Sequence, residues 1–327
     1  MEDIKVSIII PVYNVALFVE RCVRSLFSQT LKEIEFIFVD DATPDESIPI
    51  IKRVAEEFPD RKYIIVSHRE NKGLPSARNT GLKYARGEYI FHCDSDDFID
   101  CNMMESLYTA AVGNNADIVW CDWYLSMSEC ERVMKEPLIP TSEMAVKTML
   151  GGGMKFNVWN KLVRRAVYSE NNIEFPDGRG MGEDLTMIKL FASAQKIVYI
   201  PTAFYHYVKT NNNAYSRNYT ENHLIQLKEN VDELCRWLDT RCGDKYSLEM
   251  QLLKLEVKFP FLLMDDKVKF YKKWKEWYPE ANAYIFKNKY ISFRSRMIQK
   301  FAAVNQFWIV SLYSFILNNI IYRIIYK

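Results

Sequence analysis

Gly87-Glu88-Tyr89-Ile90-Phe91-His92-Cys93-Asp94-Ser95-Asp96-Asp97 is the stretch on which the reading of this chain turns. Its apolar half predicts a short strand, and the strand ends in three carboxylates within four positions. Like charges so close repel, and desolvating them is costly unless a cation neutralises them. Clusters of oxygen ligands suit Mg²⁺ or Mn²⁺, which usually bridge one or two carboxylates to the phosphates of a substrate. The carboxyl end of a strand is also where open α/β sheets place their ligands. The plain alternative is a solvated Asp-rich turn that caps the next helix.

Upstream, Val6-Ser7-Ile8-Ile9-Ile10 predicts a strand buried on both faces. It stops at Pro11-Val12-Tyr13-Asn14, without the glycines of a dinucleotide or P-loop phosphate cradle. A nucleotide held here needs its diphosphate neutralised by other means, and a metal supplies one. Apolar residues over 16–29 predict a helix, and Ile34 to Val39 a second strand that ends in Asp40-Asp41. Thr43 and Pro44 have the chemistry of an N-cap and first helical position, with a helix to about Phe58. A strand at Tyr63–Val66, a turn at Asn71-Lys72-Gly73-Leu74 and a helix over 76–86 carrying Arg78 and Asn79 complete the alternation. Strand–helix alternation through four strands implies a parallel, doubly wound sheet with right-handed crossovers, and acidic residues at two strand ends on one edge.

Downstream, 100–113 predicts a helix and Ala116–Trp123 a strand. Trp159-Asn160-Lys161-Leu162 follows the run Gly151-Gly152-Gly153. Gly178-Arg179-Gly180-Met181-Gly182 then leads to Glu183-Asp184 at the start of another helix. First-turn acids are common because the helix dipole stabilises them; the sharper reading is a general base beside a mobile loop. Two strands are expected around Pro201, the second containing His206 as a metal ligand or diphosphate contact, or simply as a packed neighbour of its tyrosines. From 219 the pattern is helical. Residues 267–300 hold ten Lys and Arg against two Glu, with interleaved aromatics. Phe307–Tyr326 has fifteen apolar or aromatic residues in twenty, with Ser311, Ser314, Asn318, Asn319 and Arg323 on one half of the helical wheel. The polar members count against a spanning helix; an interfacial anchor on an anionic leaflet fits better, and a helix packed back on the protein is the alternative.

The chain has 327 residues, 49% of them hydrophobic, and a formal net charge of +1, so no global field points to nucleic acid. Seven cysteines include no C-x-x-C pair, which suits reduced thiols in a cytoplasmic setting, and a strand by Ile4 leaves no room for a secretory leader.

The set Val6–Asn14, Val39-Asp40-Asp41, Ala77-Arg78-Asn79 and Gly87–Asp97 resembles the ordered motifs of family 2 glycosyltransferases of the GT-A fold, of the bacterial cell-surface polysaccharide type. The resemblance is specific over 4–124 and continues more weakly to about Ser216. It implies an α/β fold with a Rossmann-like, mostly parallel sheet and flanking helices over 1–218, the nucleotide half being about 1–124 and the acceptor half about 125–218. A helical region over 219–327 would follow, with a tail able to associate peripherally with the inner membrane face. By the same resemblance Pro11, Tyr13, Asp41, Asp94 and Ser95 contact a nucleotide, and Arg78 contacts its diphosphate or braces the acidic loop. Asp96 and Asp94 serve a Mn²⁺ or Mg²⁺, with His206 a further candidate ligand on the reading of the residues alone, and Asp184, with Glu183 second, is the base. The implied activity is inverting, metal-dependent transfer from a nucleotide-sugar, UDP-linked by family habit, to a hydroxyl of a glycan or lipid-linked oligosaccharide. The resemblance departs at Ala42-Thr43, where relatives often have Gly-Ser, and at Cys93, where a bulkier apolar residue is usual. Two rivals remain: a non-catalytic nucleotide- or glycan-binding relative, and a metal-dependent nucleotidyltransferase, which would need a basic, glycine-rich loop that residues 8–16 lack.

Overall fold

The computed structural model describes residues 4–128, 130–209, 220–264 and 266–317. It opens with β1 (Val6–Val12), α1 (Val19–Phe27), β2 (Ile34–Asp40), α2 (Ser47–Glu56), β3 (Lys62–Ser67), α3 (Leu74–Tyr84) and β4 (Tyr89–His92). These strands lie in the order β3-β2-β1-β4, all parallel. Every residue of β1 and β4 is buried, as expected where helices cover both faces of a sheet. Beneath β2, Phe27 packs its ring against Phe36, Phe38, Phe58 and Tyr63.

The chain continues through β5 (Phe98–Ile99), α4 (Met103–Asn114), β6 (Ile118–Ser126), β7 (Glu131–Met134), α5 (Ser142–Leu150), β8 (Lys161–Arg164), α6 (Arg165–Glu170), α7 (Thr186–Ser193) and β9 (Ile197–Val208). Beyond β4 the sheet becomes mixed: β8 runs antiparallel to β4 and β6, and β9 runs parallel to β6 and antiparallel to β5. β8 grows out of the Trp159–Leu162 group.

Two local expectations are corrected. The helix after β2 starts at Ser47 rather than near Pro44, because Asp45 takes the Ser47 amide and hydroxyl together with the Ala16 amide and the Thr43 hydroxyl. Thr43 is thereby held in the preceding turn. The two strands expected around Pro201 are one strand, β9, whose pairing with β6 shifts twice: at exposed Pro201 and Thr202, and again at Phe204, none of which has a register partner. A proline without an N–H to offer is tolerated at such a bulge.

The chain forms two compact units, Met1–Ala145 with Phe156–Leu234, and Val146–Lys155 with Cys235–Lys327. The sheet belongs to the first unit, as does most of α8 (Glu221–Cys242). The second is helical, with α9 (Ser247–Lys258), α10 (Lys267–Glu276), α11 (Phe293–Ala303) and α12 (Phe307–Ile316). Its centre is fully buried Trp274, with the Lys258 ammonium 4.3 Å above the ring and bonded to the Trp277 and Tyr278 carbonyls.

On the described part of α12 one polar side chain, Ser314, is turned inward, as in a helix that packs on the protein. Ser314 is buried against Lys267 and the Leu263 carbonyl, and Val310 is buried beside it, whereas Trp308, Leu312 and Phe315 are exposed. Asn318, Asn319 and Arg323 lie outside the described residues. Among the described helices none is long and apolar enough to cross a membrane.

Candidate active site

β4 delivers its acids into a turn tied to β9. Asp97 is buried; one of its carboxylate oxygens accepts the Val208 amide at 2.7 Å and the other the Tyr205 hydroxyl at 2.7 Å. The Tyr205 oxygen in turn accepts the Asp94 amide at 3.2 Å. Burial, reinforced by the charges of Asp96 and Asp94, pushes the Asp97 pKa well above the ordinary carboxylate value. Asp97 is thus the anchor of the turn. Asp94 and Asp96 are left partly exposed, and Ser95 between them is buried.

Beside them, α3 places Arg78, which is almost wholly buried. Burial works against its charge, but Asp94, Asp184 and Glu183 outweigh that and hold the guanidinium charged. Its Nη2 donates to Asp94 at 3.1 Å and stands 3.9 Å from Glu183; Nε and Nη1 are buried without a hydrogen-bond partner. Glu183 and Asp184 open a single 3₁₀ turn leading into α7, after Gly182 at φ +83°. Burial drives the Glu183 pKa well above its ordinary value, helped by Asp184 and opposed by Arg78. Burial also lifts Asp184, to about 6, with Arg78 and Lys161 opposing and Asp94 assisting. Asp184 Oδ1 is buried and has no hydrogen-bond partner. The structure therefore gathers Asp94, Arg78, Glu183 and Asp184 around one guanidinium.

The remaining predicted residues sit elsewhere on this edge or away from it. Asp41, at the end of β2, accepts His68 Nδ1 at 2.7 Å, the Lys72 amide at 2.8 Å and the Gly73 amide at 2.8 Å, fastening the loop that enters α3. Pro11 is buried within β1 opposite Val39, and Tyr13 just beyond the strand is 47% exposed. His206 does not join the acids. Its ring is stacked between Phe98 and Tyr124, and its nitrogens meet Glu131 at 2.8 Å and Asp100 at 3.2 Å. Successive side chains of a strand point to opposite faces, so the face that takes Tyr205 to Asp97 takes His206 away from it.

Three further side chains at the site carry little signal in the sequence. Tyr205 is overshadowed there by its histidine neighbour. Asn79 brackets the backbone of Phe175 with two hydrogen bonds, at 2.8 and 2.9 Å, and so pins the start of the segment that carries Glu183 and Asp184. Its one sequence signal is its place next to Arg78. Lys161 is buried with its ammonium on the Asn157 carbonyl and Asn160 Oδ1, at 2.7 and 2.8 Å, and burial lowers its pKa to about 8. Trp159 beside it stacks on Tyr205 and Tyr207, with ring centroids 4.5 and 5.5 Å apart.

Among the described residues no group of three or more His, Cys, Asp or Glu side chains forms a ready-made metal cage. The donor set still fits a hard divalent cation of the Mg²⁺ type, which keeps waters and takes one or two carboxylates with substrate phosphates. Asp94 and Asp96 offer those two carboxylates, and their charges add to the burial that raises Asp97's pKa.

The family model of glycosyl transferase family 2 matches residues 7–181. An uncharacterised glycosyltransferase of Bacillus subtilis, EpsJ, is 36% identical over 62% of this chain and 60% of its own length. A cholesterol galactosyltransferase of Borreliella burgdorferi is 32% identical over 63% of this chain and 61% of its own. The chain thus spans about three fifths of the length of these curated relatives. Among solved structures, residues 1–349 of S. aureus TarS in complex with UDP-GlcNAc share the fold, with a TM-score of 0.70 at 18% identity over 94% of this chain and 90% of that one. The family match takes in β1, the end of β2, Arg78, the acidic turn after β4 and the loop up to Met181, and covers more than half of the residues. By that match the chain belongs to glycosyl transferase family 2.

Proposed function

We propose that the protein is an inverting glycosyltransferase that moves a sugar from a nucleotide-sugar, of the UDP type, to a hydroxyl of a glycan or lipid-linked oligosaccharide in surface polysaccharide synthesis. The observation that carries this reading is Asp184: a carboxylate with one buried, unpartnered oxygen and a pKa raised to about 6, set at a glycine-led turn beside Arg78. A base is most effective when its pKa lies near the working pH, and general-base assistance contributes roughly 10²–10⁴-fold. The acceptor hydroxyl passes its proton to Asp184 as its oxygen attacks the anomeric carbon from the face opposite the nucleotide. The carbon–oxygen bond to the diphosphate breaks and the electron pair leaves with the nucleotide, so configuration inverts in one displacement. Arg78 braces Asp94 and keeps a positive charge next to both acid pairs. Asp96 and Asp94 would hold Mn²⁺ or Mg²⁺, and such an ion supplies Lewis-acid neutralisation of a diphosphate.

The UDP donor is supported by the likeness in fold to TarS, which binds UDP-GlcNAc. A hydroxyl carried at a lipid surface is supported by the relative named for a sterol acceptor. The test is UDP release from a panel of UDP-sugars, with water as acceptor, by the full chain. Asp184→Asn is expected to keep UDP binding and lose about 10²-fold or more of the rate. Near wild-type turnover by this variant removes the base assignment. Added Mn²⁺ against a chelator asks whether the reaction needs the cation.

A second part of the proposal is peripheral attachment to an anionic membrane surface on the cytoplasmic side. It is carried by the outward stripe of Trp308, Leu312 and Phe315 on α12, which accompanies exposed Lys272, Lys275, Arg294 and Lys300 within the same unit.

A further inference from the structure

The loop that presents Glu183 and Asp184 is built from residues that cannot hold a shape alone. Gly178 and Gly182 both take positive φ, +70° and +83°, and no regular element spans the residues between them. Such a loop loses much conformational entropy on ordering, so something must fasten it. The fastening comes from one face of α8, which begins forty residues beyond the end of the family match. Gln226, Asn230 and Glu233 stand at i, i+4 and i+7, on one side of the helix, and each reaches the loop.

Asn230 is 5% exposed, and its amide donates to the carbonyls of Arg179 at 3.2 Å and Met181 at 2.9 Å. Gln226 accepts the Met181 amide and donates to the Gly178 carbonyl, each at 3.4 Å. Glu233 pairs with Arg179 before the acids and with Lys189, at 3.0 Å, after them. Leu227 fills the space at Gly182, where a Cβ would come within 2.8 Å of its methyl. The contacts grip the loop on both sides of the acidic pair and leave the acids themselves untouched.

We infer that this face of α8 is a positioning device for the base: Asn230, seconded by Glu233, sets where the Asp184 carboxylate stands. The inference rests on the proposed role of Asp184. It makes a helix outside the family's matched segment part of the machinery of the reaction. Asn230 and Glu233 are positioning residues, since neither reaches the acids themselves.

The experiment is a double-mutant cycle in the full chain, with UDP release from a UDP-sugar as the rate and calorimetric UDP binding as the control. Asn230→Leu keeps the volume and removes both donors. Misplacing a reacting group by about 1 Å costs up to ~10²-fold, so a loss of kcat on the order of 10- to 100-fold is expected, with UDP affinity within about twofold of wild type. In an Asp184→Asn background the same change is expected to cost nothing further, because residues acting through one group are not additive. Should Asn230→Leu not fold, Glu233→Gln carries the same cycle with a smaller loss expected. An unchanged kcat, a parallel loss of UDP affinity, or a loss that multiplies with that of Asp184→Asn overturns the inference. If Asp184→Asn alone retains full turnover, the base reading has failed instead, and the two failures are told apart by that single variant.

Discussion

At the scale of single residues, Asp184 makes the sharpest claims. The rate of UDP release should rise with pH through about 6 as its carboxyl loses a proton, and this limb should vanish in Asp184→Asn. The stability prediction has the opposite sense from that of a salt-bridged acid. Its native pKa lies above the unfolded value, so the native state holds the proton more tightly. The penalty for ionising it is absent below about pH 4 and complete above about pH 6. Asp184→Asn should therefore melt higher than wild type at about pH 7.5 and match it near pH 4, by calorimetry. Ala42 is a second strained point, at φ +55°. A left-handed alanine costs roughly 1–2 kcal/mol, part of which glycine recovers, so Ala42→Gly should add about 1 kcal/mol, or about 2–4 °C in Tm. The acids were legible from sequence because closely spaced carboxylates call for a partner. Arg78 beside the acidic loop followed from the resemblance alone, and its approach to Glu183 depends on the fold.

At the scale of elements, β9 shows why reading alternation along a chain fails. β6 pairs Val119 with Val198 and Cys121 with Ile200, then Trp123 with Tyr205 and Leu125 with Tyr207. Even-numbered residues of β9 share a face with the odd-numbered ones of β6 up to Ile200, and the two unpaired residues Pro201 and Thr202 keep that parity, since Ala203 still faces Asp122; the one further unpaired residue, Phe204, inverts it, so that from Tyr205 the odd-numbered ones do so. An unbroken strand would carry its even parity onward and turn His206, not Tyr205, toward the acids. The strands and helices up to β4 could be read because each is a run of apolar residues closed by turn chemistry, and Pro201 was correctly seen as an interruption. That the interruption is a bulge, with pairing to β6 restored beyond it, depends on a partner far away in the chain. Since Pro201 is exposed and pairs with nothing in the register, Pro201→Ala should cost under about 1 kcal/mol. Tyr205→Phe, which strips the hydroxyl from Asp97 and the Asp94 amide, should cost about 1–3 kcal/mol of stability.

At the scale of the whole molecule, the pattern beyond 219 reads as helical and basic, whereas which side of α12 is wet is decided by the fold. Helical-wheel counting assigns the polar side chains to solvent; the fold buries Ser314 instead because Lys267 and the Leu263 carbonyl satisfy it. The consequence can be measured. With the full chain, flotation with vesicles containing anionic lipid should exceed flotation with zwitterionic ones, each exposed basic residue contributing on the order of 1 kcal/mol. The Trp308→Ala, Leu312→Ala, Phe315→Ala triple variant should float markedly less; equal flotation of variant and parent ends the membrane proposal. A last consequence concerns how such chains drift over generations. The solvent-facing kink at Pro201 and Thr202 looks like an easy place to gain or lose a codon. Only changes by pairs of residues would be tolerated there, since any odd one would invert everything that follows in the strand and leave the acidic turn without its tyrosine.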